Sequence, residues 1–305
     1  MSEVERAAAD ASSRSVEAAF ARALPRVRRS VSSPDKIAYA RDLWPRHHLD
    51  VRAGRIAEHR PGLVVWPADV AEVADVVRFC AAEGVPLVPF GAGSGVCAGV
   101  LPDARTVVLD LKRLCRWRRL DADAPALEVE AGALGIRLEE DLETKGFTLG
   151  HFPSSILCST VGGWVAARSA GQCSGRYGKI EDMVARLEVV TGTGEVVHLS
   201  RRVHGPDVTP LFIGSEGTLG VVTAATLRLH PAPGARAFGG FSFPSLEAGW
   251  DALRLMFQAG LRPAVARLYD PFDSFVARMG RRHRWRGGAE REAHAPKPPG
   301  AGGAA

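Results

Sequence analysis

A loop with three glycines at alternate positions, Pro89–Gly95, most constrains how this chain can fold. It follows the short apolar run Val85–Val88, which predicts a buried strand. Glycines at every second position remove the side chains from one face of the loop, so backbone N–H groups can approach a phosphate closely. A plain glycine-rich turn has the same pattern, so the loop alone leaves both interpretations open. It is not the Rossmann fingerprint, because no helix start is visible in residues 96–102.

The positive charge of the chain is concentrated at one end. The 305 residues include 39 Lys and Arg and 34 Asp and Glu, which gives a formal net charge of +5. The segment Arg278–Ala305 contains seven Lys or Arg and two acidic residues, and therefore the whole excess. The remainder is formally neutral, so we expect no nucleic-acid-binding surface on it. From residue 280 the pattern is reduced to Arg, Gly, Ala and Pro, and we expect a disordered basic tail.

The cysteines and the hydropathy of the sequence predict where in the cell the protein is found. The five cysteines show no CxxC spacing, their number is odd, and the N-terminal residues form no apolar signal segment. We therefore expect reduced thiols in a cytoplasmic protein. No run approaches the roughly 18 apolar residues that a transmembrane helix needs.

The residues before the glycine loop predict a strand–helix–strand unit. Leu63–Trp66 predicts a strand, and Asp69 with Glu72 forms a capping-box pattern at the start of a helix that ends at Gly84. The second strand, Val85–Val88, leads into the loop. The loop then lies at the carboxyl end of a strand, where parallel sheets commonly bind their ligands.

Two further glycine-rich regions follow in a second unit. Gly150–Trp164 leads into small residues that predict a helix, and Ser159 or Thr160 would cap this helix with its N–H groups toward an anion. A hairpin is predicted to turn at Gly192–Gly194. The third cluster, Gly214–Thr223, precedes a strand predicted over 225–230.

The region after residue 235 has its own pattern. It predicts a strand over Phe238–Phe243, a helix over Leu246–Ala259 and a strand over Ala264–Asp270.

Five motifs in a fixed order and spacing carry a resemblance to a known family. They are Pro89–Ser94, Gly150–Ser155, Ser159–Trp164, Tyr177–Asp182 and Gly214–Gly220. Over about 39–275 the chain resembles the FAD-linked oxidases, the flavoprotein family of vanillyl-alcohol oxidase and p-cresol methylhydroxylase, and among them the alkylglycerone-phosphate synthases. The resemblance implies FAD as cofactor and an α+β fold, in which a two-subdomain FAD-binding domain of the p-cresol methylhydroxylase type is followed by the start of an α+β cap domain.

The resemblance also divides the chain into segments. They are an N-terminal helical arm (1–55), the FAD-binding domain (56–235, with subdomains at about 56–115 and 116–235), a truncated substrate or cap domain (236–279) and the disordered basic tail (280–305).

Roles follow from the resemblance position by position. The glycine loop would wrap the FAD pyrophosphate through backbone N–H groups, and Ser154–Thr160 and Ala167–Ala170 would line the pyrophosphate and flavin region. Glu216–Val222 would run along the flavin and adenosine, and Ile180 would meet the adenine through its backbone. The implied cofactor-binding residues are Pro89, Phe90, Gly91, Ala92, Gly93, Ser94, Gly95, Ser154, Ser155, Ser159, Thr160, Gly162, Gly163, Ala167, Arg168, Ser169, Ala170, Ile180, Glu216, Gly217, Thr218, Leu219, Gly220, Val221 and Val222.

Several positions depart from the family pattern. Relatives with covalent FAD often carry a histidine where this chain has Ser94, and a serine hydroxyl cannot make that bond, so we expect non-covalent FAD. Ala92 replaces a usual glycine, a mild change if its φ stays negative. Ser154 replaces a frequent acid. The histidine run and tyrosine that the synthases use in later segments have no counterpart here.

Two arginines have alternative interpretations. Arg267 aligns with a cap-domain arginine near the flavin of the synthases, and is a substrate-side candidate for a phosphate or carboxylate. A salt bridge, for example to Asp270, is the alternative for this arginine, which we expect to be buried on a strand. Arg168 would contact a phosphate or pair with Glu181 or Asp182, and the structural pairing is slightly favoured.

Three side chains beside the glycine-rich regions also leave alternatives open. His151 would touch the isoalloxazine or make a backbone hydrogen bond. Cys97 and Cys158 lie beside the site in sequence, and we expect them to be small buried apolar groups rather than redox centres.

The resemblance implies a flavoenzyme similar to the alkylglycerone-phosphate synthases, which exchange the acyl chain of acyl-dihydroxyacetone phosphate for a fatty alcohol in ether-lipid synthesis. Two alternatives stay open: an FAD-linked dehydrogenase of a D-2-hydroxy acid such as lactate or glycolate, and an inactive FAD-binding fragment. The expected partner is a small-molecule or lipid-like substrate. A homodimer and a peripheral membrane contact are compatible with the resemblance.

Overall fold

The computed structural model describes residues 15–55, 59–201 and 204–284. The chain divides into two units. The first is Met1–Phe238 with Arg262–Val265, and the second is Gly239–Leu261 with Ala266–Ala305. Each is described by itself below.

The first unit begins with an arm that joins a small sheet. The arm contains α1 (15–23), β1 (Arg28–Ser30), α2 (Ser33–Ala38) and α3 (Pro45–Arg52). Strand β1 pairs antiparallel with β2 (Leu63–Trp66), and β2, β4 (Val107–Asp110) and β3 (Leu87–Phe90) are parallel neighbours in the order β1-β2-β4-β3. The predicted strand–helix–strand unit is therefore confirmed.

Helix α4 (Val70–Glu83) connects β2 to β3. Asp69 Oδ1 accepts a hydrogen bond from Glu72 N at 2.9 Å, and Glu72 Oε2 accepts one from Ala68 N at 2.6 Å. The predicted cap is present, although the glutamate reaches one residue further back than in the usual box. Gly84 ends the helix with φ of +60°, in the left-handed region that glycine enters without strain.

The second sheet is antiparallel and contains five strands in the order β5-β6-β10-β8-β9. They are β5 (Trp117–Asp121), β6 (Ala126–Glu130), β10 (Gly220–Arg228), β8 (Val184–Thr191) and β9 (Val196–Ser200). The β8–β9 pair is the predicted hairpin. Strand β10 begins at Gly220, five residues before the predicted start, because its first residues pair with the end of β8.

Short elements connect and cover this sheet. They are α5 (Gly135–Thr144), β7 (Phe147–Thr148), a 3₁₀ turn (Ile156–Cys158), α6 (Val161–Ala166), α7 (Ser174–Tyr177), α8 (Ile180–Met183), α9 (Thr209–Phe212) and β11 (His230–Pro231). One core joins both sheets, with Leu109 of β4 and Leu127 of β6 fully buried in it. The two predicted subdomains thus share a single apolar interior.

The second unit contains α10 (Leu246–Gln258) and α11 (Pro271–Arg284). The predicted helix is confirmed, but the predicted strands Phe238–Phe243 and Ala264–Asp270 are wrong, since neither segment pairs with another strand among the described residues. A strand needs a neighbour to take up its N–H and C=O groups, and a helix does not. Helix α11 continues past residue 280, where we expected the tail to begin, and residues 285–305 lie outside the described part.

None of the helices described is both long and apolar enough to span a bilayer.

Candidate functional site

The glycine loop leaves the carboxyl end of β3, as its position in the sequence predicts. No backbone carbonyl of the described residues accepts a hydrogen bond from the N–H groups of residues 91–97. Gly93 has φ of +66°, and Ala92 is not among the residues with positive φ, so the alanine is accommodated as expected. The loop therefore offers a series of backbone donors that no described backbone carbonyl takes up.

The second glycine-rich region meets the first at Thr160. Thr160 is the N-cap of α6, and its Oγ1 accepts a hydrogen bond from Gly163 N at 3.3 Å. A Cβ built on Gly91 would overlap this same oxygen. The loop can therefore lie against the start of α6 only because residue 91 is glycine. Since α6 has six residues, its dipole adds little to anion binding.

The third cluster joins the other two through Pro89 and α6. Gly217, with φ of +82°, passes so close to Pro89 that an added Cβ would lie 2.9 Å from its Cγ. Glu216 N donates to Ala166 O at 3.0 Å, and Gly214 N donates to Val165 O at 2.9 Å. All three glycine-rich segments thus meet at one place in the first unit.

Segment 167–170 and α8 adjoin this place. Ser169 N donates to Trp164 O at 3.0 Å, and Ser169 O accepts from Ile180 N at 3.2 Å. Ile180 O accepts from Val184 N. Both backbone groups of Ile180 are engaged, so only the second lone pair of its carbonyl remains for a ligand.

The described part of the first unit has surface cavities, two of which differ in their lining residues. One of about 220 Å³ borders the site and is lined by Pro89, Gly217, Thr218 and Val221 together with α4 residues such as Val77. The other, of about 290 Å³, is lined by residues of β6, β8, β9 and β10 and contains none of the predicted site residues. The predicted cofactor-binding residues therefore border the smaller of these two cavities and not the larger one.

Comparison with known proteins agrees with this geometry. Residues 61–200 match the family model of an FAD-binding domain. These residues are an FAD-binding domain of the FAD-linked oxidase family. They carry the α+β fold expected for it.

Relatives of known name resemble more of the chain than this domain. An alkyldihydroxyacetonephosphate synthase of Trypanosoma brucei brucei is 36% identical over 265 residues, which are 81% of this chain and 42% of the relative. Glycolate oxidase subunit GlcD of Bacillus subtilis is 29% identical over 78% of this chain and 50% of the relative. A solved alkyldihydroxyacetonephosphate synthase structure superimposes with a TM-score of 0.75 at 31% identity, over 82% of this chain and 47% of that one. The chain spans half or less of the length of these proteins.

The residues present in the FAD-binding domain fit a dinucleotide. A pyrophosphate needs several donors at close approach, and the unpartnered N–H groups of 91–97 supply them. The approach needs bare backbone, and at both Gly91 and Gly217 an added Cβ would fill the space.

Arg168 of the domain is held by protein partners. Its Nε lies 3.3 Å from Glu181 Oε2, and its guanidinium donates to Ile213 O at 2.9 Å. The structural pairing favoured from the sequence is therefore confirmed. The residue adopts φ of +49°, and these contacts offset the strain of that backbone conformation.

His151 is buried behind the same segment. It is 1% exposed, its Nε2 lies 2.7 Å from Ser169 Oγ, and its ring meets Trp164 edge-on at 4.8 Å. Its partner is thus a side chain and not the backbone. Burial lowers the pKa of His151 to about 4, so the ring is neutral near pH 7.

The tautomer of His151 follows from its second nitrogen. Nδ1 is buried and has no hydrogen-bond partner among the described residues. A proton on Nδ1 would leave a buried donor unpaired, which costs more than an unpaired acceptor. We therefore assign the proton to Nε2, which donates to Ser169 and leaves the serine hydroxyl free to donate outward.

Three expectations about side chains are wrong. Cys97 and Cys158 are exposed instead of buried, because each lies in a connecting segment whose outer side faces solvent. Arg267 lies in the second unit, exposed and outside any strand, because the strand predicted around it does not form.

Sequence reasoning missed two residues that contact the glycine loop. Asp110, at the end of β4, is fully buried and receives the ammonium group of Lys112. Lys112 Nζ also donates to Gly91 O at 2.9 Å. The available signal was a charged residue directly after the apolar run Val107–Leu109.

Gly91→Ala tests the contact between the loop and α6. We expect the variant to bind FAD about tenfold more weakly or worse, because the new methyl group displaces either the loop or Thr160. Quenching of flavin fluorescence on titration of the apo protein measures this. Gly192→Ala is the control, since its Cβ meets nothing within 4 Å and its φ is not positive. Equal affinities of the two variants would contradict the contact.

His151→Gln tests the neutral buried histidine. The folded protein binds this proton less readily than the unfolded chain, so stability from this residue is complete above about pH 6.5 and is lost as the pH falls toward 4. Relative to the glutamine variant, the wild type should lose about 3 kcal/mol of unfolding free energy over that range. Urea denaturation at several pH values measures the difference, and parallel curves would refute the assignment.

Proposed function

We propose that the first unit binds FAD non-covalently at the junction of its three glycine-rich segments. The supporting observation is their convergence at Gly91, Thr160 and Gly217, where an added side chain would not fit at either glycine. The pyrophosphate would lie on the N–H groups of the loop Pro89–Gly95. Ser154–Thr160 and Ala167–Ala170 would line the flavin side, and Glu216–Val222 the flavin and adenosine side.

The residues of the chain have separate tasks in this proposal. FAD, when bound, would supply a ring that can accept an electron pair. The loop N–H groups hold the negative charge of the pyrophosphate with fixed dipoles that need no reorganisation. Ser169 is kept as an outward donor by neutral His151. Arg168 keeps the segments aligned through its ion pair with Glu181.

For the activity, we propose a reaction similar to that of the alkyldihydroxyacetonephosphate synthases. Their similarity extends well beyond the FAD-binding domain, into the second unit. The substrate would be a lipid-like acyl ester of dihydroxyacetone phosphate together with a fatty alcohol. Arg267, whose side chain is exposed, is the substrate-side candidate for the phosphate.

An FAD-linked dehydrogenase of a D-2-hydroxy acid is the second candidate, and the similarity to a glycolate oxidase subunit favours it. A chain that binds FAD without turnover is the third. These candidates share the cofactor site and differ in what the rest of the chain does with it.

Further assignments complete the proposal. Residues 236–279 are the start of a cap domain, and the protein is cytoplasmic, in keeping with five free cysteines. The proposal also includes a homodimer and a peripheral contact with a membrane, both of which can be measured.

The candidates are separated by one pair of assays on FAD-reconstituted protein. With palmitoyl-dihydroxyacetone phosphate and hexadecanol, we expect release of palmitate and formation of the alkyl ether, measured by mass spectrometry. With D-lactate or glycolate under anaerobic conditions, we expect no bleaching of the flavin absorbance. Bleaching without palmitate release would replace the synthase by the dehydrogenase. If the protein binds FAD and shows neither reaction, the third candidate, a chain that binds FAD without turnover, is supported.

Denaturing electrophoresis tests the mode of FAD attachment. Because Ser94 stands where covalent relatives often have histidine, we expect all flavin fluorescence to leave the polypeptide. Free flavin run alongside is the control. A fluorescent band at the position of the protein would refute the non-covalent assignment.

A further inference from the structure

The glycine loop is held at both ends by residues that precede the FAD-binding domain. We call residues 28–52 the clamp arm. They lie before residue 61, where the matched domain begins, and β1 of the arm adds an antiparallel strand to the edge of the first sheet. Within the described part of the chain, no backbone carbonyl accepts from the N–H groups of residues 91–95 in the loop, so its shape depends on other contacts.

The first contact fixes the start of the loop through Tyr39. The Tyr39 hydroxyl donates to Asp110 and accepts from Trp66 Nε1 at 3.0 Å. Asp110 lies in register with Phe90, and Lys112, bound to Asp110, donates to Gly91 O at 2.9 Å. Burial and the bond to Asp110 raise the pKa of Tyr39, so the hydroxyl stays protonated.

The second contact fixes the end of the loop through Asp42. Leu43 N donates to Gly95 O at 2.8 Å. The Asp42 carboxylate is 2% exposed, and its two oxygens accept from Gly99 N at 3.0 Å and from Trp44 N at 2.9 Å. His47 Nδ1 lies 3.1 Å from the same carboxylate.

Asp42 needs both oxygens as acceptors. One faces the N–H of Gly99, four residues after the end of the loop, and the other faces the N–H of Trp44 in the clamp arm. An asparagine amide would satisfy one N–H and turn its NH₂ group toward the other, whichever way it is flipped. A carboxylate therefore links the arm to the loop in a way that the isosteric amide cannot.

We propose that Asp42 and Tyr39 are positioning residues for FAD: the clamp arm closes the glycine loop at both ends and so aims its N–H groups at the pyrophosphate. The proposal rests on FAD occupying this loop, as proposed above. Neither residue touches the cofactor in this scheme. They determine how many N–H groups of the loop point toward the pyrophosphate at once. A change in either residue should therefore change the affinity for the pyrophosphate.

The test is the affinity of Asp42→Asn in the full 305-residue chain for two probes. FAD is one, and ADP, which carries the pyrophosphate without the flavin, is the other. We expect both to bind about tenfold more weakly, because a buried N–H is left facing a donor. Fluorescence titration measures FAD and isothermal calorimetry measures ADP. Hydrogen exchange at Gly99 should be faster in the variant.

Asp103→Asn is the matched control. Asp103 Oδ1 accepts a hydrogen bond from Arg105 N at 2.9 Å in the turn before β4. This turn precedes the first residue of the strand, whereas Asp110 is its last residue. The same carboxylate-to-amide change there should leave both affinities unchanged. Tyr39→Phe is the second variant of the clamp arm and should weaken FAD binding several-fold.

The outcomes separate the clamp from the cofactor proposal. If the wild-type chain binds no FAD, the proposed cofactor site is wrong, and the proposal about the clamp arm is rejected with it. If the wild type binds FAD and both arm variants bind it equally well, only the clamp is overturned. A loss of urea stability in Asp42→Asn without a change in affinity also overturns it. Should circular dichroism show that Asp42→Asn is unfolded, the affinity of Tyr39→Phe decides.

Discussion

The close approach of Gly91 to the Thr160 hydroxyl is the contact on which the site depends. Because residue 91 has no Cβ, the loop after β3 can lie directly on the cap of α6. This places Pro89 against Gly217, and the same helix receives the N–H groups of Gly214 and Glu216 at its carboxyl end. A single backbone-to-side-chain contact therefore sets the positions of three segments that are far apart in the sequence.

Two of the cations beside these segments are paired with protein groups. Lys112 is held by Asp110 and by the carbonyl of Gly91, and Arg168 is held by Glu181 and by the carbonyl of Ile213. The glycine loop adds a set of backbone dipoles, which suit an anion whose charge is spread over several oxygens. A pyrophosphate has that property, and the site would select it by shape and donor count more than by net charge.

Local sequence determined most of this arrangement, and non-local contacts determined the rest. The glycine positions, the Thr160 cap and the turn of the β8–β9 hairpin each depend on a few neighbouring residues, and all were predictable. The links from Tyr39 to Asp110 and from Asp42 to Gly99 join residues 71 and 57 positions apart, and nothing in either local pattern indicates them. The roles that the family resemblance assigns toward FAD stay predictions.

The second unit shows the same difference between structure set by local sequence and structure that needs distant contacts. Helix α10 forms although Gly249 is its only residue buried among those described, because Ser245 Oγ accepts from Ala248 N at 3.2 Å and the helix satisfies its own backbone. The two strands predicted on either side of it have comparable β-forming residues, but no described strand lies beside them. A capped helix satisfies its own backbone, and α10 also packs at Gly249 against Leu268 and Phe243, whereas a strand exists only where another backbone lies beside it. Pairing of these segments requires backbone groups that residues 239–284 do not themselves supply.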